Sequence, residues 1–411
     1  MTRWLVVGGG SAGCVVAARL SEVPSDEVTL LEAGSDQGAV SGAPGQPVVD
    51  RASMLRSDVT VVRRPGADPV PYLQGSGLGG SSLVNGAVVV GDPVVEARGH
   101  QLPIEPADDL GPVARAVLAV AGDGARVGLV RRGGRRVTVV DAYLRPALAR
   151  DNLRVRCETN VARIVFDDRR AIGVETTAGE QIPADRVVVC AGAIETPALL
   201  LRSGVDTPGV GDGIQDHAGI AISFDLAAGP SDGVAIGAIV ARPHRQIVVM
   251  DRLPGRTDMG ALIAGHLTVR STGRVSLPDP DGPPLVELRQ LTDPADGEAL
   301  AGVLREAVAL LDDPALGEVV GARYVDEHGT SPDAIMRDEG ALRAWLPDHL
   351  GGFHHVAASC RSGTVLDGDG AVRGYDGVYV CDASALPAVP SRNLYLTVVR
   401  RAERFAARRV R

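Results

Sequence analysis

Leu5-Val6-Val7-Gly8-Gly9-Gly10-Ser11-Ala12-Gly13-Cys14-Val15-Val16 stands almost at the start of the chain. A short apolar run ends in three glycines. A helical pattern follows at once, with Val15, Val16 and Leu20 on one face. A second apolar run, Val28 to Leu31, leads to Glu32. Strand, glycine turn, helix and strand make half of a dinucleotide-binding sheet. Gly8 makes the tight turn, Gly10 lets the backbone approach a pyrophosphate, and Gly13 lets helix lie close on strand. The helix start, at Ser11 and Ala12, offers free N–H groups and partial positive charge to phosphates. Glu32 is placed to accept hydrogen bonds from an adenosine ribose.

The composition agrees with an enzyme built around such a sheet. The chain has 411 residues, enough for two or three domains, with 45% apolar and 23% charged residues. Its net charge of −9 argues against nucleic-acid or anionic-membrane binding. No apolar run has the length needed to span a bilayer, and the N-terminal run is not a signal peptide. All 42 basic residues are Arg, which excludes Schiff-base chemistry and a P-loop lysine. The five cysteines, Cys14, Cys157, Cys190, Cys360 and Cys381, are scattered. They read as free thiols in a reducing cytoplasm, and no Cys/His spacing suggests a metal.

Further along, residues 33–75 read as loops and Val113 to Val120 as a helix followed by a polar, Arg-rich loop. Residues 153–190 read as a β-meander of four runs: Leu153 to Cys157, Val161 to Phe166, Ala171 to Thr176 and Arg186 to Cys190. The last is continuously apolar, as a buried parallel strand is. Near Gly219 the character changes. Ile220, Ile222, Phe224 and Leu226 alternate with smaller or polar residues, and apolar runs follow at Val234 to Ala241 and Ile247 to Met250. Ser271-Thr272-Gly273 predicts a hairpin between Leu267 to Val269 and Val275 to Leu277. Asp293-Pro294 predicts a helix start, with Leu300, Val303, Leu304, Val308 and Leu311 as its stripe. The fold class is therefore α/β: a Rossmann-like dinucleotide domain with a β-meander, plus an α+β domain on an antiparallel sheet. The expected division is 1–215 with 363–411, and 216–362.

Five more stretches narrow the chemistry. Gly75-Ser-Gly-Leu-Gly-Gly-Ser-Ser-Leu-Val-Asn85-Gly86 is a second glycine/serine-rich loop. Gly192-Ala-Ile-Glu-Thr-Pro197 continues to Ser203-Gly204, and Pro208-Gly-Val-Gly-Asp-Gly-Ile-Gln-Asp216-His217 follows. Near the C-terminus lie His354-His355-Val-Ala-Ala-Ser-Cys360-Arg-Ser-Gly363 and Asp382-Ala383-Ser384, with Pro387, Pro390, Asn393 and Thr397 beyond. In this order they resemble the motifs of the glucose–methanol–choline (GMC) oxidoreductase family. Departures are Ser76 for a basic residue, Asp206 and Gly213 for Gly and Asn, Ala358-Ser359 for Gly-Thr, and Ser362 for Met. The chain is also shorter than typical members, with the shortfall expected after Gly91.

The resemblance implies FAD as cofactor, held by Gly8, Gly10, Ser11, Ala12, Gly13, Glu32, Gly80, Ser81, Asn85, Val88, Val161, Gly192, Asp382, Ala383, Asn393 and Thr397. It implies a non-covalent flavin, since no His stands in the second glycine-rich loop. It makes His355, not His354, the active-site histidine, with Asn393 beside it and His354 a neighbour that fills or orients. Alcohol oxidation needs such a pair. A neutral imidazole takes the hydroxyl proton near neutral pH, and an amide donates to the forming alkoxide without titrating. Asp216-His217 reads as a structural hydrogen-bonded pair. The expected function is FAD-dependent oxidation of a small-molecule alcohol, as a dehydrogenase in preference to an oxidase, with an unidentified electron acceptor. The motifs leave open a hydroxynitrile-lyase-like enzyme and a non-catalytic flavin-binding protein. The 3% aromatic content argues against an aromatic-rich pocket.

Overall fold

Arg3–Val7 lies inside a parallel sheet, and Trp4 to Val7 are all buried because both faces of the strand are covered. The computed structural model describes residues 1–38, 54–56, 58–91, 96, 98–227, 229–231 and 233–410. The sheet order is Leu153–Arg156, Glu27–Leu31, Arg3–Val7, Arg186–Val189 and Val378–Val380, all parallel. The helix Ser11–Leu20 follows the glycine turn and is buried at seven successive residues, Ala12 to Ala18. The C-terminal helix Tyr395–Ala407 packs beside it. Arg19 and Glu403 tie the two at 2.8 Å, and Glu403 also accepts from the Tyr143 hydroxyl at 2.7 Å.

The expected four-strand meander is corrected. Its first run, Leu153–Arg156, joins the parallel sheet, while Arg186–Val189 is the buried parallel strand that its continuous apolar run predicts. The antiparallel part is Val161–Asp167, Arg170–Thr176 and Gln181–Pro183. Leu153–Arg156 is a short strand, and its role is set by a partner more than a hundred residues away, which local turn chemistry does not encode. The expected Arg-rich loop after the helix Pro112–Val120 is a hairpin instead, with Arg131 opposite Arg136. The expected hairpin through residues 271–273 does not form. Gly273–Ser276 pairs with Leu285–Glu287 on one side and Asp212–Ile214 on the other.

The second layer is an antiparallel sheet in the order Val320–Tyr324, Ala218–Leu226, Met259–His266, Arg245–Met250, Ile236–Arg242 and Gly124–Arg126, with Gly351–Gly352 alongside Ala218–Leu226. The helix Pro294–Leu311 covers one face, and Asp293 caps it by accepting from the Ala295 N–H. Its stripe Leu300, Val303, Leu304, Val308 and Leu311 is buried as expected. The helix Pro112–Val120 and strand Gly124–Arg126 join this layer from before residue 216. The chain therefore crosses between layers more often than a division at 216 and 362 implies.

Gly13 is the tightest point of the first layer. A Cβ there would lie 1.9 Å from the Gly8 carbonyl oxygen, which is backbone and cannot turn away. Gly13→Ala is expected to cost about 3 kcal/mol or more, read as a fall in the urea midpoint.

Candidate active site

Two glycine-rich turns meet at the end of the parallel sheet. Gly8 has φ +99°, and its Cα faces the Cys190 carbonyl so closely that a Cβ would reach 2.6 Å. The second loop seats on the first: Gly79 N–H donates to the Gly9 carbonyl at 2.7 Å. Glu32 accepts from the N–H groups of Gly9 at 2.7 Å and Gly34 at 2.8 Å. Burial pushes its carboxyl above the usual range, and these amides partly offset that. Asp382 is 3% exposed and stitches two further turns together. One oxygen accepts from Gly192 N–H at 2.8 Å and Thr196 Oγ1 at 2.6 Å. The other accepts from Ser384 N–H at 2.8 Å and Ser384 Oγ at 2.5 Å.

These turns border a cavity of about 1300 Å³. It is lined by Gly8, Gly10, Ser11, Ala12, Glu32, Gly80, Ser81, Asn85, Val88, Val161, Gly192, Asp382, Ala383 and Asn393 from the expected cofactor set, together with His354 and His355. Gly13 and Thr397 are not among the lining residues. Gly13 acts from behind, through the close helix–strand contact, while Leu394, Tyr395 and Val398 of the C-terminal segment reach the cavity where Thr397 does not. A Cβ built on Gly10 meets nothing within 4 Å, so the backbone there is bare toward the cavity. That bare turn at a helix start, beside a buried acid, fits a dinucleotide such as FAD.

His355 stands at the joint between the layers. Its N–H donates to Asp216 Oδ1 at 2.8 Å, and Asp216 Oδ2 accepts from the Tyr72 hydroxyl at 3.1 Å. Asp216 is 1% exposed, and burial raises its pKa to about 6. The His355 ring is fixed from two sides. Its Nδ1 lies 3.0 Å from Nδ1 of His217, one nitrogen donating and the other accepting. The Phe353 ring stacks on it at 5.8 Å. Phe353 in turn sits over Gly219 and Gly265, cross-strand partners where a Cβ would strike its ring at about 2.6 and 2.5 Å. Burial holds the proton affinity of both His355 and His217 below the ordinary imidazole, that of His217 at about 4. His354 has φ +57° and turns its ring onto Tyr72 at 4.9 Å.

Four participants escaped the motif reading: Arg136, Tyr72, Phe353 and Gln246. Arg136 holds the second glycine-rich loop, donating from Nη1 to Asn85 Oδ1 at 3.0 Å and from Nη2 to the Asn85 carbonyl at 2.6 Å. It is one arginine among many, and nothing local marks it. Gln246 shows one signal, a polar residue opening the apolar run Ile247 to Met250. Two departures from the motifs also find reasons. Gly213 has φ +87°, open to Gly or Asn, and the Arg361 guanidinium fills the space a side chain there would take. Ala358 has φ +68°, where the family's Gly is unstrained.

Comparison with known proteins adds the following. Two sequence profiles, both of GMC oxidoreductase, match residues 118–219 and 269–402. An uncharacterised GMC-type oxidoreductase of Rhodococcus erythropolis is 30% identical, the alignment covering 98% of this chain and 97% of that one. An oxygen-dependent choline dehydrogenase of Xanthomonas axonopodis pv. citri is 27% identical over 98% and 95%. The first alignment runs over 505 positions against 411 residues here, so that relative carries residues this chain lacks. In fold, the chain is similar to the pyridoxine 4-oxidase of Mesorbium loti, with a TM-score of 0.86 at 22% identity and 99% of each chain covered.

Gly10→Ala separates cofactor binding from folding. The φ of −76° at Gly10 suits alanine and the space is empty, so the urea midpoint should stay within about 0.5 kcal/mol of the parent. Retention of flavin through gel filtration should fall. His217 predicts acid sensitivity. An unfolded imidazole takes its proton near 6.5, the folded one only near 4, so stability falls as pH falls between those values. At pH 5 this amounts to on the order of 2 kcal/mol relative to pH 7. His217→Gln should lose less stability than the parent between those pH values in urea titrations. Asp216 acts in the opposite direction, equally in both proteins.

Proposed function

The chain belongs to the GMC oxidoreductase family and is an oxidoreductase, and on that premise we propose that it oxidises an alcohol carbon with non-covalently bound FAD. The observation that carries the reading is His355. It lines the same cavity as the bare glycine turn, and its Nδ1 is engaged by His217. Bound FAD supplies the two-electron acceptor that takes the hydride from the alcohol carbon. The dinucleotide is held by the Gly8–Gly13 turn, Glu32, the Gly79–Ser81 loop and the Gly192 and Ala383 turns.

The chain's own residues manage the proton. The Leu267 and Pro390 carbonyls favour a proton on His217, and its Nε2 is the nitrogen left for it. His217 Nδ1 is then an acceptor and His355 Nδ1–H its donor. His355 Nε2 keeps a lone pair, which accepts the substrate hydroxyl proton. Burial and the neighbouring His217 and His354 keep His355 neutral well below pH 6.5, so the base is ready across the neutral range. Asn393 lines the same cavity and donates to the developing alkoxide. Asp216 holds the His355 backbone without entering the chemistry.

The test is anaerobic reduction of the bound flavin by a panel of primary and secondary alcohols, followed by visible absorption. Bleaching by at least one alcohol is expected. His355→Ala should keep the flavin spectrum and slow bleaching by about 10²–10⁴-fold. The acid limb of kcat/KM should lie below pH 6.5, because the free imidazole resists protonation. An unchanged rate in His355→Ala, with flavin bound, removes the assignment of the base.

A further inference from the structure

Among the described residues, the cavity carries charge at one end only. Glu32 and Asp382 belong to the glycine turns, while Arg56 pairs with Glu195 at 3.0 Å and Asp58 at 2.9 Å near the helix Gly192–Arg202. The other end is walled by the antiparallel sheet. Gln246, Val248 and Met250 alternate on one strand, Ile263 faces Val248 from the next, and Ile236 and Phe353 complete the wall. Among the described residues, no carboxylate and no guanidinium lines that end. Arg63 and Asp216 are not among the lining residues; they stand where a Cβ on Gly352 would point, which would meet Arg63 Nη1 at 2.8 Å and Asp216 Oδ2 at 3.2 Å.

Such a wall selects by charge. A substrate ammonium held there is desolvated with no carboxylate to pair it, and one phenyl ring is not a cage of aromatic faces. A substrate carboxylate is equally without a partner. The wall has one polar group of its own, Gln246. It is 2% exposed, lies beside Phe353 at Gly265, and its Nε2 has no hydrogen-bond partner. A buried amide N–H left unpaired is costly, so the position calls for an acceptor from outside the chain.

Building on the proposed alcohol oxidation, we infer that the substrate is an uncharged alcohol with an apolar body, bearing a second oxygen that accepts a hydrogen bond from Gln246. The choline dehydrogenase relative therefore differs from this chain in the charge of what it oxidises. Gln246 is a specificity-determining residue, and the aliphatic strip from Ile236 to Ile263 is the seat of the apolar body.

The experiment compares choline with 3,3-dimethylbutan-1-ol, which has the same shape without the charge, on the flavin-loaded enzyme under anaerobic conditions. Bleaching efficiency for the neutral alcohol should exceed that for choline by at least about tenfold. The shift in Tm on adding each compound gives the same order without turnover. Gln246→Leu is then assayed with hexan-1-ol and with hexane-1,6-diol and 4-methoxybutan-1-ol. It should lower efficiency about tenfold for an oxygen-bearing member and leave hexan-1-ol within about threefold. Gln246→Glu, which keeps the side-chain shape, should raise choline at least tenfold. Choline equal to or better than its neutral isostere in the parent overturns the inference and leaves alcohol oxidation standing. Equal losses for all three alcohols in Gln246→Leu, with Tm and flavin unchanged, overturn the role of Gln246. Bound flavin that no alcohol bleaches overturns the proposed function and the inference with it.

Discussion

A buried carboxylate holds the two layers of this protein in register. Asp216 ends the approach to the antiparallel sheet, and its two oxygens take the His355 N–H and the Tyr72 hydroxyl. Keeping a carboxyl in such a place is expensive, as its raised pKa records. The return is position. The strip from Phe353 to Cys360 passes through two left-handed residues, His354 and Ala358, and has little regular pairing of its own. It is held instead by Asp216, by paired backbone bonds between Gln215 and Ala357 at 3.0 Å, and by the carbonyls of Ala383 and Ser384. Loss of any of these contacts moves the His355 imidazole, which in the proposed reaction must meet a reacting atom within a few tenths of an ångström.

Glycine does the complementary work, and its uses differ by place. At Gly13 it removes a clash between helix and strand. At Gly10 it leaves a surface bare for a ligand. At Gly219 and Gly265 it cuts a notch into the antiparallel sheet so that a phenyl ring can lie flat and support His355. The last use belongs to the antiparallel layer, where the motifs are silent. It explains how a chain with so few aromatic residues still positions the His355 ring by stacking.

The cavity joins two environments of opposite character. The dinucleotide end is polar, rich in backbone N–H groups and edged by ion pairs. Among the described residues, the sheet end is aliphatic apart from Phe353 and one carboxamide, Gln246. The proposed hydride transfer suits such a boundary, because in that reaction the proton is taken by a neutral group and no charge needs to be solvated by bulk water.

The order of the motifs, the dinucleotide turn, the buried second strand and the capped helix at Asp293 were all legible in the amino-acid sequence. Each depends on residues close together in the chain: a glycine where φ is positive or space is absent, an Asp before Pro at a helix start, a period of two along Ile220 to Leu226. What needed the tertiary structure was partner choice over long separations. Leu153–Arg156 reads as a meander strand until Glu27–Leu31 claims it. Asp216-His217 reads as a structural pair until His217 is found against His355, across 138 residues. Arg136 is one arginine among many until it clasps Asn85. Gln246 is one polar residue in a strand until sheet register turns it to the cavity with its donor unpaired. Local sequence sets backbone conformation through sterics that act over a few residues. Which side chains meet is set by the packing of two sheets, and no short window of sequence contains both of them.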